Sequence, residues 1–94
     1  MNLDKSKKRI TKKVKMGFQG YPQISITYLG SSDDLADEVS LEFVAEEGAE
    51  AMQERFKSQT DVRQDEVIQS AIVKMIERSA AKTVTQAEAI KIKA

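Results

Sequence analysis

The apolar residues of this chain change their period partway along, and that change limits the folds open to it. Ile10, Val14, Met16 and Phe18 share one parity, interrupted only by Lys12, while Thr11, Lys13, Lys15 and Gly17 take the other. Period two marks a strand with one buried face, here about 10–18. Gly20-Tyr21-Pro22 ends it, because proline has no N–H to give a ladder. Ile24, Ile26 and Tyr28 then alternate with Gln23, Ser25 and Thr27, which predicts a second strand at about 23–29, the hairpin partner of the first. After the loop residues Gly30 to Asp34, Val39, Leu41 and Phe43 alternate with Ser40, Glu42 and Val44, a third strand at about 38–44. A helix over 33–47 competes, since Leu35, Val39 and Phe43 also recur every four residues. The β-branched and aromatic content favours the strand.

From Ala45 the period lengthens. Ala45, Ala49, Met52 and Phe56 fall on one helical stripe, predicting a first helix at about 46–57 that Gly48 weakens. Asp61 reads as an N-cap with Gln64 three residues on, and Asp65 and Glu66 suit the first turn of a second helix at about 62–80. Val67, Ile68, Ala71, Ile72, Met75 and Ile76 give it a wide apolar stripe. The residues 83–94 are ambiguous: Thr85 with Glu88 could cap a further turn, and Ile90 and Ile92 could alternate as a strand.

These segments predict an α+β domain of N-terminal antiparallel strands followed by two antiparallel helices. The expected organisation is a basic flexible arm at 1–9, one domain at 10–82 and a C-terminal tail at 83–94. The expected core is Val14, Ile26, Leu41, Met52, Phe56, Ile68, Ile72 and Met75. The stripe of the second helix is wider than one small sheet and one weak helix would cover, so a homodimer is expected.

Charge is divided as sharply as period. Residues 1–15 hold seven bases (Lys5, Lys7, Lys8, Arg9, Lys12, Lys13, Lys15) against Asp4, so the formal net charge of zero conceals a basic arm on an acidic body. A concentrated basic segment gathers polyanions such as nucleic acid. Residues 31–54 hold nine acids and no base. They could face a protein partner, or mimic nucleic acid as an inhibitor would. With no His and no Cys in the chain, the common general base and the thiol nucleophile are missing, so no enzyme, metal site or cofactor is expected. The four glycines are scattered, which leaves no phosphate-cradling loop. No apolar run approaches the ~18 residues of a transmembrane helix, and the basic N-terminus lacks a signal peptide's apolar stretch, so the cytoplasm is the expected location.

The run from Thr60 to Ile72 (Thr60-Asp61-Val62-Arg63-Gln64-Asp65-Glu66-Val67-Ile68-Gln69-Ser70-Ala71-Ile72) resembles the second helix of the ribbon-helix-helix DNA-binding proteins, the MetJ and Arc class. The resemblance covers about 39–79. It implies a two-fold dimer whose paired strands enter the major groove. Leu41 and Phe43 would point inward, Ser40, Glu42 and Val44 outward, and Ala49, Met52 and Phe56 would form the inner face of the first helix. Thr60 and Asp61 would sit where that family anchors phosphate.

The functional expectation is a small DNA-binding protein or transcriptional regulator. It would contact phosphate through Lys7, Lys8, Arg9, Lys12, Lys13 and Lys15. The alternative is a non-enzymatic interaction module using acidic residues 33–54. If the first and third strands paired, Lys13 or Lys15 would lie across from Glu42 and neutralise part of the arm.

Overall fold

The chain opens on a helix. In the computed structural model, which describes residues 2–87 and 89–93, α1 runs Leu3–Lys15. The Asn2 side chain caps it by accepting from the Lys5 N–H at 2.9 Å. Gly17, at φ +70°, takes the left-handed conformation that stops it. The strand expected at 10–18 is therefore absent, and residues 3–9, expected as a flexible arm, form the first turns of α1.

Three strands follow as an antiparallel meander: β1 (Gln23–Gly30), β2 (Glu38–Val44) and β3 (Met52–Lys57). A 3₁₀ turn at Val62–Gln64 leads into α2 (Glu66–Arg78). The chain then lays β4 (Thr83–Gln86) and β5 (Lys91–Ile92) parallel to β1, along its free edge. The sheet order is β3-β2-β1-β4, with β5 continuing beside β1. The architecture remains α+β, but the expected order of strands followed by two helices is wrong. One helix precedes a five-stranded mixed sheet, and two strands follow the other helix.

The helix expected at 46–57 is also absent. Its second half is β3. Its first half is a connection in which the Ala49 N–H donates to the Glu46 carbonyl at 3.0 Å and Gly48 turns the chain at φ +81°. Asp61 caps the 3₁₀ turn by accepting from the Arg63 N–H, while Asp65 caps α2 by accepting from the Ile68 N–H at 3.1 Å. Of the tail readings, the turn invoking Glu88 rests on a residue outside the described ones.

Register places Ile24, Ile26 and Tyr28 of β1 beside Phe43, Leu41 and Val39 of β2. These side chains share the sheet face that α1 and α2 cover. Ile10 of α1, Ile68, Ile72, Val73 and Ile76 of α2, Val62 and Val84 complete the core. Burying each such aliphatic side chain contributes about 1.5–3 kcal/mol. Met52, expected in the core, is 70% exposed. Most of the α2 stripe that suggested a homodimer is covered within the monomer by α1 and the sheet, with Met75 half-buried and Val67 left outside. No helix among the described residues is long and apolar enough to cross a membrane.

Candidate nucleic-acid interface

Helix α1 sorts its residues by face. Ser6 and Ile10 are buried, and Leu3 and Val14 are half-buried. The Ser6 and Ser70 hydroxyls lie 3.2 Å apart, which ties the first turns of α1 to α2. Opposite that seam, Lys5, Lys8, Lys12 and Lys15 are all exposed. At about 100° per residue they fall within an arc of roughly 80°. Their spacings of three, four and three residues keep them in one line about 15 Å long. Lys7 and Lys13 are half-buried on the two shoulders of this ridge. Lys7, Lys8, Thr11, Lys12 and Lys15 line a shallow depression of about 370 Å3.

These cations are held out rather than folded down. Arg9 Nη1 meets Glu77 Oε1 at 3.1 Å, and Lys7 Nζ donates to Gln64 Oε1 at 3.5 Å. Among the described residues, no carboxylate forms an ion pair with any of the six lysines of α1. The helix itself gains from the arrangement: Asp4 sits in its first turn and Lys12, Lys13 and Lys15 in its last, matching the dipole.

The acids of the body use other partners. Glu38 is buried on the far face of the sheet, with Arg55 Nη1 at 3.1 Å from its Oε2 and Lys57 Nζ at 3.8 Å from its Oε1. Lys93 Nζ lies 2.7 Å from Asp37 and holds that carboxyl below its ordinary range. Arg63 donates through Nε to Asp61 Oδ1 at 2.9 Å and, with main-chain N–H groups, holds the Asp61 carboxyl down to about 2. Burial pushes the Tyr28 phenol up, and its hydroxyl donates to Gln86 Oε1 at 3.0 Å. Glu42 lies across from Ser25 and Gln53, so the pairing expected between Glu42 and Lys13 or Lys15 does not form. The acidic stretch 31–54 is no single surface either. Asp33 and Asp34 lie in the β1–β2 connection, whereas Glu46, Glu47 and Glu50 lie in the β2–β3 connection at the other end of the strands.

Of the basic residues singled out from sequence, the structure brings Lys8, Lys12 and Lys15 onto one outward line. Lys7 and Lys13 flank it, and Arg9 is engaged by Glu77. Lys5 is counted among the bases of the arm but not among the expected phosphate contacts, because a flexible arm has no helical phase to group it with the others. The signal was present in its spacing to Lys8, Lys12 and Lys15. Of Thr11, Lys13 and Lys15, expected on one strand face, Thr11 and Lys15 stay on one side of the helix and Lys13 lies on another. No known protein family, curated protein or solved structure matches this chain.

Proposed function

We propose that this protein binds DNA through the phosphate backbone, using the solvent face of α1. The observation that carries this reading is the line of Lys5, Lys8, Lys12 and Lys15, exposed and without an ion pair among the described residues. Such a row offers four ammonium groups to one polyanionic strand, and contacts of this kind position a protein without reading sequence. Lys7 and Lys13 widen the positive surface. Arg9 can join it, because an exposed ion pair such as Arg9–Glu77 contributes only about 0–1 kcal/mol and is readily exchanged for phosphate.

The test is a salt titration of binding to a short DNA duplex. Four phosphate contacts give a slope of log K on log salt of about −3.6, so affinity falls roughly 150-fold between 50 and 200 mM salt. Replacing Lys5, Lys8, Lys12 and Lys15 together with Gln should flatten that slope towards zero. Absence of binding at low salt, or an unchanged slope in the quadruple variant, overturns the reading.

A further inference from the structure

We infer that the groove between the C-terminal half of α2 and the β2–β3 half of the sheet docks a basic amphipathic helix of a partner protein. That helix would lie as a third helix on the covered face of the sheet. The site is remote from the lysine ridge and does not rest on the DNA reading.

The rows of the sheet show the vacancy. Ile24, Phe43 and Met52 stand side by side across β1, β2 and β3, followed by Ile26, Leu41 and Glu54, then Tyr28, Val39 and Phe56. In the first row Ile24 is 1% exposed and Met52 70%. Helix α1 packs on α2 and β4, at the opposite side of the sheet from β3. Ile26, Val39 and Leu41 are buried, so the open part of this face is its β3 edge, where Met52 and Glu54 are exposed and Phe43 is half-buried. Ile24, Leu41, Phe43, Met52 and Met75 line a groove there of about 610 Å3.

Charge selects the occupant. The connection that closes the Phe43–Met52 row carries Glu46, Glu47 and Glu50 and no base, and Glu54 follows on the same face of β3. The C-terminus of α2, at Arg78–Ser79, adds the negative end of its dipole, offset by the Arg78 side chain. An apolar face with basic flanks fits this floor and rim. A second copy meeting this one through the same groove does not, because it would bring the same acidic rim and no basic flanks. The chain's own basic helix is spent as well: Ile10 and Val14 of α1 are committed to the core.

The probe is a synthetic amphipathic peptide of Leu and Lys, with a Leu and Glu peptide of the same pattern as its control. The readout is methyl NMR of the full chain labelled at methionine, with Met52 and Met75 in the groove and Met16 at the C-terminal cap of α1 as the internal reference. The Met52 and Met75 signals should shift saturably with the Leu/Lys peptide while Met16 stays in place. The Leu/Glu peptide should bind at least tenfold more weakly. Met52→Gln, at an exposed site, and Glu54→Lys should each weaken binding severalfold with the circular dichroism unchanged, and the quadruple lysine variant should bind the peptide as before. Absence of a saturable shift at Met52 and Met75, or equal binding of the two peptides, overturns the proposal. Concentration-dependent shifts of Met52 and Met75 without any peptide would assign the groove to a second copy and overturn it too.

Discussion

Replacing Ile10 with Ala should detach α1 before it unfolds the rest of the molecule. Ile10 is 1% exposed and is the most deeply buried apolar side chain that α1 contributes. Ile→Ala at such a site costs about 2–5 kcal/mol. The helix has little of its own to set against that loss. Thirteen residues are marginal as an isolated helix. The like-charged pairs Lys5/Arg9, Lys8/Lys12 and Arg9/Lys13 together oppose it by about 1 kcal/mol, an amount the Asn2 cap roughly offsets. What remains is docking, in which Ile10 is the most buried apolar contact, aided by the buried Ser6 hydroxyl against Ser70 and, at the surface, by the Lys7–Gln64 and Arg9–Glu77 contacts. Native-state hydrogen exchange resolves the two cases. A local loss of about 3 kcal/mol lowers the protection of the α1 amides roughly 150-fold, while β1 and α2 keep most of theirs. Val67→Ala, on a side chain 78% exposed, is the control and should stay within about 0.5 kcal/mol of the parent in urea. Unchanged protection in α1, or an equal fall in every element, would refute the idea that one buried isoleucine holds the basic helix in place.

Three further outcomes follow from the geometry. Asp61 has its carboxyl held at about 2, below the 3.8 of the unfolded chain, so the stability it contributes is present above about pH 4 and is lost as pH falls through 2. In paired urea titrations at pH 5 and pH 2, the advantage of the parent over Asp61→Asn should shrink by about 1–2 kcal/mol. The double variant Arg55→Ala/Lys57→Ala leaves Glu38 buried without its cations, and the urea midpoint should report a loss of about 3–5 kcal/mol. A Cβ at Gly30 would collide with the Leu35 carbonyl oxygen, which is backbone and cannot step aside. Gly30→Ala should therefore cost about 1–3 kcal/mol, seen as a lower thermal midpoint.

The fold was legible where a single period was possible and misread where two were. A spacing of four residues returns a side chain to nearly the same face in a helix and to the same face in a strand. Ile10 and Val14 are four apart in a segment whose parity predicts a strand, and they are helical. Met52 and Phe56 are four apart in a segment whose stripe predicts a helix, and they lie in β3. Odd spacings decide such cases. Leu3 and Ile10 are seven apart, which a helix places on one face and a strand on opposite faces, and Asn2 and Gly17 mark the two ends. Ile24, Ile26 and Tyr28 are spaced by two, which excludes a helix, and β1 lies at that segment. Core membership followed the same rule. Ile72 and Leu41 are buried as expected, whereas Met52 depended on the helical phase and stands in solvent. The candidate interface was legible as composition but not as shape. In a strand Lys5 and Lys15 would oppose Lys8 and Lys12, and only the helical phase lines up the four.

The zero net charge of the chain is a poor guide to what α1 meets, because several carboxylates are paired within the body and others lie on the β2–β3 hairpin. Register sets Lys57 directly across from Glu38 and Arg55 diagonal to it, a two-residue separation sets Arg63 against Asp61, and the segment after β5 brings Lys93 to Asp37. Among the described residues only Glu77 reaches a base of α1. The remaining hairpin acids lie on the β3 side of the sheet. Three strand spacings separate that edge from β4, about 14 Å, against a screening length of about 8 Å at physiological salt. The acidic hairpin therefore does little to cancel the field over the lysine ridge. A polyanion approaching from the α1 side meets a positive surface, and a basic helix approaching the groove meets a negative one, so the charge division along the sequence is kept as a division across the fold.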